Sequence, residues 1–112
     1  MVTGLKRIKQ IAKEVRKFFE NDPASTKQLH RLCFRASVSL AKRLQSKGIK
    51  AKVVHGYMCD TKGWINRHSW VVYKNKIIDL TATQFGYKPR VFVRSVTSTL
   101  YIPDKRVRDY AF

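Results

Sequence analysis

The sequence predicts an α+β domain, with N-terminal helices packed on an antiparallel β-sheet. Three observations carry this. Apolar residues recur at three- and four-residue steps as far as Leu44, the period drops to two after Gly48, and the later strand patterns are joined by hairpin-sized connections. The chain has 112 residues, 44% of them hydrophobic. That is enough for one core and too little for two, so residues 1–112 are expected to form a single domain.

The first helix is read from Leu5, Ile8, Ile11, Ala12, Val15, Phe18 and Phe19, which are separated mostly by Lys, Arg, Gln and Glu. This amphipathic pattern spans about residues 4–20. Asn21-Asp22-Pro23 ends it, because the residue before a proline avoids helical geometry. A second stripe runs through Leu29, Leu32, Cys33, Ala36, Leu40, Ala41 and Leu44, with Gly48 as the stop. Two starts fit this helix: a cap at Ser25 or Thr26, or an opening near Leu32.

Residues 51–58 alternate as a strand should, and Cys59 to Arg67 reads as a polar loop holding Asp60 and Gly63. Ser69 to Tyr73 is the next strand, Lys74-Asn75-Lys76 a tight turn, and Ile77 to Leu80 the returning strand of a hairpin. After a loop from Thr81 to Pro89, Val91 to Val96 forms a further strand, with Leu100-Tyr101-Ile102 as its candidate extension. Pro103 opens a charged tail. No repeat, linker or low-complexity segment interrupts this order.

Lys and Arg number 24 against 7 for Asp and Glu, a formal charge of +17. Such a surface attracts an acidic protein or peptide, or nucleic acid. Met1 to Leu5 lacks the apolar segment of a secretory signal, and no stretch approaches the roughly 18–20 apolar residues that span a bilayer. The expectation is a cytoplasmic, thiol-reduced protein without membrane contact, in which Cys33 and Cys59 stay unbridged. His30, Cys33, His55, Cys59 and His68 match no zinc-ligand spacing, so no metal or cofactor is expected.

Cys33 on a helix, His68 at the start of a strand and Asp79 on the neighbouring strand of one hairpin supply the groups thiol catalysis needs. Taken singly, Cys33 fits the apolar stripe of its helix and His68 suits a structural role. Folding at Asn75 brings His68 and Asp79 within reach of cross-strand neighbours. An imidazole beside a thiol stabilises the thiolate, and a carboxylate behind the imidazole fixes its tautomer.

Four segments then resemble the transglutaminase-like branch of the papain-like superfamily: Leu32-Cys33-Phe34-Arg35-Ala36, Gly48-Ile49-Lys50-Ala51 through Gly56-Tyr57, His68-Ser69-Trp70-Val71, and Ile77-Ile78-Asp79-Leu80-Thr81. They cover about half the chain, in the family's order. Leu80 stands where the family commonly has proline, and Leu32 and Phe34 replace small or polar neighbours of the nucleophile.

The resemblance implies a papain-like core, with Cys33 as nucleophile, His68 as general base and acid, and Asp79 as orienting acid. It also implies Gln28 as a side-chain oxyanion donor. Trp64 and Trp70 are read as core or cleft wall, with Trp70, on the His68 side of its strand, placed to shield the imidazole pair from water. The activity expected is cysteine-dependent acyl transfer on peptide or carboxamide bonds, peptidase or deamidase ahead of transglutaminase. The alternative is a nucleic-acid-binding or host-protein-binding module on an inactive scaffold of this type, suggested by Tyr73, Tyr87, Phe92 and Tyr101 among basic residues.

Overall fold

Helix α1 (Gly4–Glu20) buries Ile8, Ile11, Ala12, Val15 and Phe19 along one stripe, as the periodicity requires. The computed structural model describes residues 4–21 and 29–111. Phe18, counted with the stripe, instead lies 69% exposed and meets Phe19 edge-on at 5.5 Å. Helix α2 (Leu29–Ser46) turns Leu32, Ala36, Leu40, Ala41 and Leu44 against α1 and the sheet. It ends at Gly48, whose φ of 78° suits glycine, while the Ile49 N–H donates to the Leu44 carbonyl and the Gly48 N–H to the Gln45 carbonyl. These paired bonds close the helix as a Schellman cap.

Six strands follow: β1 (Lys52–Cys59), β2 (Ile65–Tyr73), β3 (Lys76–Asp79), β4 (Phe92–Ser95), β5 (Tyr101–Pro103) and β6 (Tyr110–Ala111). They form one antiparallel sheet in the order β4-β3-β2-β1-β5, with β6 also paired to β1. Alternation splits the interior in two. Val53, Val71 and Ile78 join the helices in one apolar cluster, while their neighbours Val54, Trp70 and Ile77 join Met58, Phe92 and Tyr101 in another. The architecture is therefore α+β, two helices packed on an antiparallel sheet. Among the described residues no helix is long and apolar enough to cross a membrane.

Three sequence expectations change. The loop read from Cys59 to Arg67 shrinks, because β2 begins at Ile65. Asp60 tightens the connection by accepting from the Lys62 and Trp64 N–H groups at 2.9 Å and from Asn66 Nδ2 at 3.1 Å. Leu100-Tyr101-Ile102 does not extend the preceding strand: a turn after Ser95 separates β4 from β5, and the two lie at opposite ends of the sheet order. The tail after Pro103 folds back, so that Tyr110 and Ala111 pair with Val53 and Lys52. As expected, β2 and β3 form a hairpin, and Lys74 takes the left-handed backbone (φ 53°) that a tight turn between right-twisted strands favours.

β5 approaches β1 so closely at Gly56 that a β-carbon there would meet the Ile102 carbonyl and would lie 2.8 Å from Pro103 Cα and 2.9 Å from the Trp70 ring. Two of these obstacles are backbone and cannot rotate away. Gly56→Ala should therefore destabilise the fold by about 2–3 kcal/mol, read as a lowered midpoint in denaturant unfolding. A loss under about 0.5 kcal/mol would mean that β5 is not held where it lies.

Candidate active site

The β2–β3 ladder runs from Tyr73↔Lys76 to Val71↔Ile78. In the same register Asp79 falls opposite Trp70, one diagonal step from His68 on the same face of the sheet. The imidazole bridges that step: His68 Nε2 lies 2.7 Å from Asp79 Oδ2, with both side chains buried. A buried carboxylate is costly unless its lone pairs are used, and those of Asp79 are. Oδ1 accepts from the Thr81 N–H at 2.9 Å and the Thr81 hydroxyl at 3.4 Å, and Oδ2 also accepts from the Tyr101 hydroxyl at 2.7 Å. Burial foremost, then the Asp79 charge, pushes the Tyr101 phenol well above its ordinary value, which keeps it a donor.

The chain just after Asp79 is gripped from α1. Arg16 Nη1 donates to the Leu80 carbonyl and, at 3.1 Å, to the Thr83 hydroxyl, while Arg16 Nε pairs with Glu20 at 3.3 Å. The loop that fixes Asp79 is thus tied to both its own backbone and a helix.

α2 brings Cys33 to the other side of the imidazole. Burial opposes the Cys33 thiolate, but the hydrogen bond from His68, its positive charge and the Ser69 N–H outweigh it, and the thiol lies below its ordinary value. His68 responds in kind. Burial lowers its pKa, yet the Asp79 charge and hydrogen bond, then Cys33, raise it to about 9. With Nε2 committed to Asp79 and Nδ1 buried without a hydrogen-bond partner, Nδ1 is the nitrogen left for the influence that Cys33 has on the ring. Nothing in this balance requires a helix dipole: the nearest imidazole and one strand N–H suffice.

The thiol, though largely buried, borders a cleft of about 380 Å³. Cys33, His68 and Ser69 lie along it. Its aromatic wall is Phe34, His55 and Tyr110, with ring centroids 5.2–5.6 Å apart. Arg67 and Val107 complete the lining, so no carboxylate faces the cavity among these residues. His55 Nδ1 shares a 2.7 Å hydrogen bond with the Ser69 hydroxyl, and burial holds His55 below its ordinary value. Phe34 and Tyr110 also border a second hollow of about 380 Å³ that reaches Phe18.

The structure brings Cys33, His68 and Asp79 together. Trp70 does not wall the Cys33 cleft. It is 1% exposed behind His68, ring centroids 6.1 Å apart, because its strand position turns it into the second core cluster against Tyr101. The closer shield is Phe85, edge-on to His68 at 4.8 Å. Trp64 is 71% exposed, carried outward on the short connection between β1 and β2. Gln28 lies outside the described residues. Cys59 ends β1, away from the cleft lining, and no disulfide joins it to Cys33. Among the described residues no group of three or more His, Cys, Asp or Glu is arranged to hold a metal ion.

Sequence reasoning missed Tyr101, Thr81, Arg16 and Phe85. Asp79-x-Thr81 is an Asx-turn spacing and carried a local signal for Thr81. Tyr101 had none, since it reaches Asp79 from a strand three places away in the sheet order. The chain matches no family model, no curated protein and no protein of solved structure.

Proposed function

We propose that this protein is a papain-like, transglutaminase-like cysteine enzyme that performs acyl transfer on peptide or carboxamide bonds. One observation carries the reading: a buried imidazole, held at 2.7 Å by Asp79, acts on a thiol that borders an open cleft. In this reading Cys33 attacks the substrate carbonyl, and His68, protonated as the partner of the thiolate, gives its proton to the departing amine or ammonia. A thioester remains on Cys33. His68, now neutral, takes a proton from the acceptor, whose oxygen or nitrogen displaces the sulfur and restores the ion pair. Asp79 keeps Nε2 protonated throughout, so that Nδ1 is the nitrogen that gives and takes the proton.

Water is the favoured acceptor. No described segment closes over the cleft, so hydrolysis, as peptidase or deamidase, competes well against an amine. Hydroxylamine intercepts a thioester whatever its natural acceptor, which gives a direct test. Full-length protein incubated with a complex peptide mixture and hydroxylamine should yield peptide hydroxamates, abolished in Cys33→Ala and retained in Cys59→Ser. Hydroxamate at the Cys33→Ala background, with Cys33 no more reactive than Cys59 toward iodoacetamide, would end this reading.

A nucleic-acid-binding role on an inactive scaffold draws support from charge pairing. Glu14, Glu20, Asp104 and Asp109 are each already engaged by Arg or Lys, which leaves the surplus of cations facing solvent. Binding that falls steeply with salt and is unchanged in Cys33→Ala would favour it.

A further inference from the structure

The acyl-transfer reading leaves the substrate unspecified, and one side chain in the cleft narrows it. Arg67 lies on β2 next to His68 and lines the same cavity as Cys33. Its guanidinium is held in place and only loosely paired. It stacks 5.2 Å above the Tyr57 ring, and Nη1 donates to the Tyr57 hydroxyl at 3.0 Å. The nearest carboxylate, Asp104, is 3.9 Å away and is already taken by Arg106, whose Nε and Nη2 reach its two oxygens at 3.0 and 3.1 Å. The Arg67 side chain remains 63% exposed.

A fixed, solvent-facing guanidinium beside the nucleophile, in a cavity lined by no carboxylate, is a receptor for an anion. A planar guanidinium also fits a carboxylate with two parallel hydrogen bonds. The Arg67 cation reaches His55 and opposes its protonation, against the larger and opposite influence of the Asp109 carboxylate.

We propose that Arg67 is a specificity-determining residue that binds an acidic side chain of a polypeptide substrate beside the bond attacked by Cys33. The inference rests on the acyl-transfer reading and deepens it. A polypeptide is favoured over a nucleic acid here because the thiol needs an acyl carbon to attack, which a phosphodiester backbone does not offer. Apart from His68, which pairs with the thiolate, the cleft also presents Arg67 alone rather than a track of cations at phosphate spacing. The overall charge of +17 then serves the same end at long range, drawing acidic chains toward the face that holds the cleft.

Two alkylating reagents of nearly equal size test this without a known substrate. Iodoacetate carries the carboxylate that Arg67 would receive, and iodoacetamide carries none. With either, the Cys33 sulfur displaces iodide, and the adduct is read by mass spectrometry of the Cys33 peptide. At low salt, Arg67→Gln should slow the iodoacetate reaction about five- to tenfold and the iodoacetamide reaction by less than about twofold. Arg67→Lys should keep most of the iodoacetate rate, and added salt should erode it in the wild type. A short oligoglutamate should protect wild-type Cys33 from iodoacetamide, and protect Arg67→Gln less.

An iodoacetate-to-iodoacetamide ratio unchanged in Arg67→Gln overturns the proposal, as does protection by a single-stranded oligonucleotide in place of oligoglutamate. If iodoacetamide modifies Cys33 rapidly while Arg67 has no effect, only this assignment falls. If Cys33 is inert to both reagents, the acyl-transfer reading falls and takes the assignment with it.

Discussion

His68→Ala is expected to slow alkylation of Cys33 by about a hundredfold near pH 6.5, measured with iodoacetamide in a Cys59→Ser background. Burial alone pushes the Cys33 thiol up, and the hydrogen bond and charge of His68 are the largest opposing influences. Without the imidazole only the Ser69 N–H still favours the thiolate, so the midpoint of the pH–rate curve should move toward or beyond the ordinary thiol value of 9.0. The loss should be greatest at low pH, where only an activated thiol is ionised, and should close as pH rises past the variant's own midpoint. His68→Gln, which fills more of the vacated space, controls for collapse around Phe85 and should behave alike. A midpoint unmoved in both variants would show that the imidazole does not activate this thiol, and that Cys33 is a buried helix residue like its neighbour Leu32.

How far the sequence alone discloses this arrangement depends on the range of the interactions. The helices were legible because their signal is local. Ile8, Ile11, Ala12 and Val15 repeat at helical steps, and Gly48 supplies the left-handed residue that a Schellman cap uses. The pairing of His68 with Asp79 was legible because both lie on one hairpin, whose short turn fixes the register. The edges of the sheet were not. Whether Tyr101 continues β4 or crosses to the far side of β1 is decided by a turn after Ser95 and by the room left at Gly56, not by alternation within either strand. The same holds for Tyr110, which reads as tail until β6 pairs with β1 and sets its ring against Phe34 and His55. Trp70 illustrates a different gap. Its face was predictable from its spacing to His68, but whether that face was core or cleft wall was not, and it is core because the second apolar cluster fills the side of the sheet away from the helices.

Asp79 offers the second large effect, and it is thermodynamic. Asp79→Ala leaves the Tyr101 hydroxyl, the Thr81 N–H and the His68 ring without their buried acceptor, and should cost about 3–5 kcal/mol. Asp79→Asn keeps the volume but removes the charge that most raises the His68 pKa. With Cys33 replaced by Ala as well, burial goes unopposed, and His68 should titrate below its ordinary value of 6.5 instead of near 9. The consequence is a change of sign in the pH dependence of stability. A histidine raised from 6.5 to about 9 stabilises the fold fully below pH 6.5, and that contribution, at most about 3 kcal/mol, disappears as pH climbs to 9.

Cys33 works in the opposite direction. Its lowered pKa stabilises the fold above pH 9.0 and loses that effect as pH falls through the folded-state value. Within the overlap, the folded chain keeps the imidazole proton that the unfolded chain releases, and has released the thiol proton that the unfolded chain keeps. The two slopes oppose each other, and the wild type should show a nearly flat profile there. Cys33→Ala removes one slope while the Asp79 contributions, larger than those of Cys33 in raising His68, remain. Its unfolding free energy, measured by urea titration at several pH values, should fall between pH 6.5 and 9. Adding Asp79→Asn should reverse the slope, so that stability rises as pH passes upward through the lowered His68 pKa. A Cys33→Ala protein whose stability is flat or increasing over that interval would mean that no raised imidazole is present, and the charge relation among the three residues would have to be abandoned.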